Sequence, residues 1–273
     1  MKSNKAFSFP YIFWLLLFTV VPLFIVIYFA FTNSMGEVTL ENFSSMTKYT
    51  GVFWRSFRLA ILSTVVCLIL GYPLAYIMSR LKPKHQTIAM ILIMLPMWMN
   101  FLVRTYAWLT ILENNGLLNN FLSSLHLPEI YIINTPAAVA LGMIYNYLPF
   151  MILPIYTVMA KMDPSYIEAA KDMGASDFQV FSKVVFPLSI PGVLSGIIMV
   201  FVPAVSTFVI SKILGGGANM LVGDLIEMQF LGSTYNANMG AAISLVMMVI
   251  IMVFIWLTGK IDKNGEGEGS VLL

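Results

Sequence analysis

Catalysis needs a constellation of reactive side chains, and this sequence supplies none. Its histidines are His85 and His126, its one cysteine is Cys67, and neither His-Glu-x-x-His nor Gly-x-Ser-x-Gly occurs. Those residues cannot form a zinc set, a disulfide or a nucleophile elbow, so neither a metal site nor an enzyme activity is expected. The glycines of GGGANMLVGD, residues 215–224, lack the Lys-Ser/Thr of a phosphate-cradling loop and read as a turn. What remains is the chemistry of ring faces and neutral acceptors: Trp98, Tyr145, Asn146, Tyr147, Ser206 and Thr207, with the acidic Asp224 and Glu227 three apart. Ring faces attract ammonium groups by ~0.5–2 kcal/mol each. Asn100 and Arg104, four apart, would share one face of a continuous helix.

The elements that must position these residues are apolar. Hydrophobic residues make up 59% of the 273 positions and charged residues only 10%, against roughly a quarter charged in soluble domains. A bilayer core takes about 20 apolar residues in helix, and six stretches qualify, roughly 10–31, 57–78, 87–109, 136–159, 189–210 and 238–258. The fold class expected is therefore all-α integral membrane, a single span domain over 10–260. The first stretch is too long for a signal h-region and is read as a retained span. ENNGLLNNFLSSLHLPEI, after the third span, is too polar to cross and suits a short helix at the surface. Pro22, Pro73, Pro96, Pro149, Pro154 and Pro203 mark either broken helices or ordinary packing.

Lys and Arg set the orientation. With six spans the two ends share one side, which collects Lys2, Lys5, Arg80, Lys82, Lys84, Lys161, Lys171, Lys183, Lys260 and Lys263, ten of the fifteen. Both termini, 1–9 and 261–273, are thus expected in the cytoplasm. The Gly- and Glu-rich tail 261–273 is expected to be unstructured, or added to the natural chain.

The stretch DPSYIEAAKDMGASDFQVFSKVVFPLSIPGVLSG, residues 163–196, stands apart. Spanning with 161–183 would bury Lys161, Asp163, Glu168, Lys171, Asp172, Asp177 and Lys183, at ~2.5–3.5 kcal/mol each. The segment is nevertheless built to be ordered. Asp163 is a good N-cap, Pro164 suits the first helical position, and Gly174 can take the left-handed stop. Ser176 and Gln179 have capping-box spacing, so a second helix is expected at once, ending at Pro187. A rigid lever held outside the membrane by a glycine corner suits contact with another protein.

Glu168-Ala169-Ala170, then Gly174, Val184, Phe186 and Pro187, resemble the EAA loop of ABC importer permease subunits, with Phe186 where that pattern usually has Leu. LGYPLAYIMSRL (70–81), LPMWMNFLVRTYAWLTIL (95–112), YNYLPFMILPIY (145–156) and GGGANMLVGDLIEMQFL (215–231) extend the likeness to the B-type permeases of spermidine/putrescine importers. That resemblance implies a type I ABC importer permease fold of six transmembrane helices, with a cytoplasmic coupling helix in a loop at about 161–187. It implies a second permease subunit, two ATPase subunits that use ATP and magnesium, an extracytoplasmic substrate-binding protein, and a home in the bacterial inner membrane. No nucleic acid is expected as a partner, and no cofactor on this chain. Relatives for other small solutes share parts of these blocks; a secondary transporter or channel is the remaining alternative.

On that reading Glu168, Ala169, Ala170 and Gly174 receive the movement of the ATPases. Trp98, Tyr145, Asn146, Tyr147, Ser206 and Thr207 offer a weakly attractive path for a polyamine, because no carboxylate falls in the middle of any span. Asp224 and Glu227 form an acidic touchpoint near the outer mouth, or a solvated face. Asn100 and Arg104 are expected to be structural or gating, with snorkelling of Arg104 beside Trp98 and Trp108 as the plainer alternative.

Overall fold

The computed structural model describes residues 9–232 and 235–269. Within these residues fourteen α-helices follow one another: α1 (Phe9–Leu15), α2 (Val21–Ala30), α3 (Glu41–Ser45), α4 (Thr50–Ser79), α5 (Pro83–Met94), α6 (Phe101–Leu112), α7 (Leu117–Ser124), α8 (Pro136–Ala160), α9 (Pro164–Asp172), α10 (Asp177–Val180), α11 (Phe186–Ser206), α12 (Val209–Leu214), α13 (Val222–Leu231) and α14 (Ala237–Gly269). Among the described residues there is no strand, only an isolated bridge between Thr32 and Val38.

Among the described residues five helical stretches are long and apolar enough to cross a membrane, Phe13–Ala30, Glu41–Ser79, Pro136–Ala160, Asp177–Ser206 and Ala237–Ile261. A sixth span exists only as a bent pair, Pro83–Trp98 with Phe101–Ser124, meeting at 89°. The span expected over 87–109 is therefore not one continuous helix. A 3-10 turn at Leu95–Trp98 containing Pro96 ends the first arm, and Met99 is extended. Asn100 then caps a new helix, its side chain accepting from Leu102 N at 2.9 Å and Val103 N at 3.4 Å. Asn100 thus precedes α6 rather than sharing a helical face with Arg104.

The other prolines act differently. Pro73, Pro149, Pro154, Pro191 and Pro203 lie inside continuous helices. Pro22 and Pro187 each follow a π turn, Leu16–Val20 and Phe181–Val185. Before Pro187 the wider turn bonds Phe186 N–H to Phe181 O. The helix begun at Asp177 therefore runs on to Ser206 instead of ending at Pro187. The fifth span, expected to reach 210, stops at Ser206 because Thr207 turns extended. Gly216 and Gly217, at φ +59° and +75°, make the expected turn between α12 and α13. The expected surface helix is α7, tied down by buried Asn119, which bonds Asn114 O, Ile130 O and Ile130 N. Helix α14 continues past Lys260 to Gly269, through much of the tail expected to be unstructured. Residues 1–8 and 270–273 of the expected cytoplasmic ends lie outside the described residues.

The chain forms two compact units, one of the residues up to Gly51 with Leu225–Met252, the other of Val52–Asp224 with the stretch from Val253. In the larger unit α8 is the core helix, and α11 packs along it through Gly192 and Gly196. A Cβ at Gly192 would stand 2.9 Å from Pro154 O, and one at Gly196 2.7 Å from Met151 Sδ. Between apolar helices in lipid, small residues allow this backbone approach and the dispersion contacts that hold the pair. In the smaller unit the first span is held at its C-terminal end by Asn42 and Asn238. Asn42 Nδ2 donates to Ala30 O and Thr32 O, and Asn238 Nδ2 to Phe29 O and Thr32 O.

Candidate functional site

Helix α9 begins where Asp163 accepts from Ser165 N at 2.9 Å. That bond holds the exposed Asp163 carboxyl below its ordinary range. The helix ends at a Schellman corner: Gly174 N donates to Lys171 O at 2.8 Å and Ala175 N to Ala170 O at 3.1 Å. Gly174 sits at φ +82°, a region that penalises any residue with a Cβ. Ala170 is buried under the corner while Glu168 and Ala169 are exposed. The pattern thereby acquires a physical meaning. The second alanine is the small residue on which the turn closes, and glycine supplies the turn.

Beyond the corner Ser176 and Gln179 form the full capping box, Ser176 N to Gln179 Oε1 at 2.9 Å and Gln179 N to Ser176 Oγ at 3.4 Å. Lys171 and Asp177 pair across the corner at 2.9 Å, a bond between exposed groups worth only ~0–1 kcal/mol. Tyr166, Met173 and Phe178 are 54%, 83% and 76% exposed and give the corner an apolar outer surface. The π turn follows, and its Phe181 ring packs edge-on against Tyr72 and Tyr76 of α4. Buried Tyr72 also bonds Ser189 of α11 at 2.9 Å. Movement of α9 thus has a packed route into both α11 and α4. Sequence reasoning missed Tyr72, Tyr76 and Phe181, although LGYPLAYIMSRL places two tyrosines four apart on one helical face.

The residues expected along a path do not form one lining. Consecutive positions on a helix point about 100° apart, and Tyr145, Asn146 and Tyr147 divide accordingly. Tyr145 packs edge-on against Trp108 at 5.2 Å, with the Arg104 guanidinium 5.9 Å from its ring centre. Asn146 is buried and donates to Gly142 O at 2.8 Å, leaving its Oδ1 with no partner. The Tyr147 hydroxyl donates to Pro203 O at 3.4 Å, with the Thr207 side chain beside it. Ser206 is exposed and bonds back to Val202 O at 3.0 Å, and Trp98 is exposed at the bend of the broken span. The structure joins Tyr147 to Thr207 and Tyr145 to Arg104, and leaves Trp98 and Ser206 apart.

Arg104 is 7% exposed, so it does not snorkel to an interface. Its Nη1 donates to Pro96 O at 2.8 Å, reaching from α6 back to the preceding arm, while its Nε is unpaired. It fastens the bend. Asp224 Oδ2 accepts from Leu221 N at 2.7 Å and so caps the start of α13, where Val222 N also donates to Ser56 Oγ at 2.8 Å. The carboxylate is engaged in holding a helix end. Glu227 lies one turn further along, half-buried. At Gly223 a Cβ would fall 2.4 Å from Thr207 O and 2.5 Å from Ser206 O, so the end of α11 and the start of α13 meet through bare backbone. No group of His, Cys, Asp and Glu among the described residues could hold a metal.

Five apolar helices long enough to cross a membrane, a bent pair as a sixth candidate, and a charged, glycine-cornered lever are features of an importer permease. Residues 71–264 match the family described as "Binding-protein-dependent transport system inner membrane component", and the chain belongs to that family. It is 35% identical over 260 residues to the spermidine/putrescine transport system permease protein PotB of Haemophilus influenzae, covering 92% of this chain and 91% of that protein. It is 33% identical to the PotB of Escherichia coli over 93% of this chain and 98% of that protein. The fold is similar to that of a bacterial ABC transporter that imports the acidic polysaccharide alginate, with a TM-score of 0.77, 16% identity, and 95% of this chain and 94% of that one covered. The MetNI methionine ABC transporter gives a TM-score of 0.61 at 14% identity, over 81% of this chain and 98% of that one.

Proposed function

We propose that this chain is one of two permease subunits of an ATP-driven importer of polyamines, spermidine and putrescine, working by alternating access in a bacterial inner membrane. The observation that carries the solute class is the likeness to two PotB permeases along nearly their whole lengths, 91% and 98%. Two ATPase subunits bind ATP and magnesium on the cytoplasmic side, where both termini lie, and a substrate-binding protein delivers solute from outside. Helix α9 docks in a groove of one ATPase through Glu168 and the apolar outer surface around Tyr166 and Met173. Closure of the ATPases pushes the corner at Gly174, and the continuous helix from Asp177 carries that push past Pro187 into the membrane.

The path works by weak attraction. No span of this chain presents a carboxylate at its middle, so nothing traps a cation, as a conduit requires. Tyr147, bonded to Pro203 O of α11, lines the path once α8 and α11 part, while Tyr145, packed on Trp108 and Arg104 of α6, holds the other side of the same helix in place. Uptake of labelled solutes into proteoliposomes holding the complete complex, at saturating binding protein, tests the reading. Spermidine or putrescine is expected to accumulate, and amino acids and oligosaccharides are not. Tyr145→Ala or Tyr147→Ala is expected to slow uptake several-fold with the affinity of the binding protein unchanged. A complex that accumulates another solute and no polyamine overturns the assignment.

A further inference from the structure

In the smaller unit, beside the end of the first span, lies a polar cavity of about 570 Å³. Its walls include Glu41, Asn42, Ser45, Tyr235 and Asn238, with the Phe29 ring, and no Lys, Arg or His among the described residues. The hydrogen bonds give the cavity a polarity. Both Asn42 and Asn238 direct their Nδ2 groups at backbone carbonyls of residues 29–32, with distances from 2.7 to 3.1 Å. Carbonyls accept and never donate, so each amide must turn its nitrogen toward them and its oxygen away. The donors are thereby used on the helix end, while no protein donor among the described residues reaches either Oδ1. The carbonyl end of α2 adds partial negative charge, and Glu41 adds a full one.

No Lys, Arg or His stands in the wall to balance an anion, whereas a group with donors only would find the amide oxygens of Asn42 and Asn238, the Glu41 carboxylate and the hydroxyls of Ser45 and Tyr235. We infer that this cavity is a capture site for a primary alkylammonium group. Its volume lies in the range of small-molecule pockets, larger than a bare metal ion needs. The excess of Lys and Arg on the other side puts the loop after the first span outside the cytoplasm, where solute arrives. The inference rests on the polyamine reading and adds a first contact for the amine after its release from the binding protein.

Equilibrium binding of radiolabelled putrescine to the complete complex in lipid nanodiscs, without binding protein, tests the site. Saturable binding is expected, with Glu41→Gln weakening it about three- to tenfold, the range for a charge-assisted bond at a partly exposed site. Glu129→Gln is the control, because Glu129 is exposed, bonded to Tyr131 and belongs to the larger unit, which contributes no residue to the cavity wall. It is expected to change nothing, and 1,4-butanediol, equal in length but uncharged, is expected not to compete. Unaltered binding in Glu41→Gln, an equal loss in Glu129→Gln, or competition by the diol overturns the site. Polyamine uptake by the wild-type complex in the same lipid reports separately on the transport reading: uptake with binding indifferent to Glu41 overturns the site alone. Binding is read directly on the complex, so it decides the site even where uptake fails.

Discussion

Arg104 shows how much one buried charge organises. It closes the bend of the broken span by one bond, 2.8 Å to Pro96 O, and lays its guanidinium 5.9 Å from the ring centres of both Phe101 and Tyr145. A hydrogen bond to a charged group contributes about 1.5–3 kcal/mol. Arg104→Gln is too short to span the bend and keeps no cation. It is expected to lower the yield of assembled complex and to alter basal ATP hydrolysis, with solute affinity of the binding protein unchanged. Yield on purification and hydrolysis without solute measure this, and an effect confined to solute affinity contradicts the structural role. Arg104→Lys is expected to restore little, since a single ammonium cannot reproduce the planar, stacked geometry.

At the scale of elements the molecule depends on close backbone approach. Gly223 meets the Ser206 and Thr207 carbonyls with no room for a methyl group. Gly223→Ala is therefore expected to destabilise the folded chain by about 1–3 kcal/mol, the usual cost of overpacking. Gly259→Ala, where a Cβ would meet nothing within 4 Å, is expected to be neutral or slightly stabilising through helix propensity. Thermal unfolding in detergent compares the two, and equal midpoints contradict the account. The lever was legible in full because its rules are local: Asp163, Gly174 and the Ser176–Gln179 pair each satisfy a cap within a few residues. The bend at Met99 was hidden because hydropathy does not register it, although Pro96 followed by Asn100 is a stop and a cap in sequence. The π turn before Pro187 was hidden for the opposite reason. A local rule says that proline ends a helix, and the wider turn evades it. The path residues were legible as types but not as a lining, since Tyr145, Asn146 and Tyr147 face three ways.

At the scale of the whole molecule, five helical stretches among the described residues are long and apolar enough to cross a membrane, and a bent pair is the sixth candidate. The chain's distinctive part is a corner whose geometry depends on one glycine. A side chain at Gly174 would meet nothing within 4 Å, so any penalty there comes from φ +82° and not from crowding. Valine is strongly disfavoured in that region, and asparagine tolerates it. The direct test of the account is the ratio of ATP hydrolysed to polyamine imported by the complete complex in proteoliposomes. Gly174→Val is expected to insert and assemble yet to hydrolyse ATP with little or no uptake, while Gly174→Asn keeps uptake within a few-fold of wild type. Uptake by Gly174→Val at the wild-type ratio would contradict the claim that this corner carries the force of ATP into the membrane.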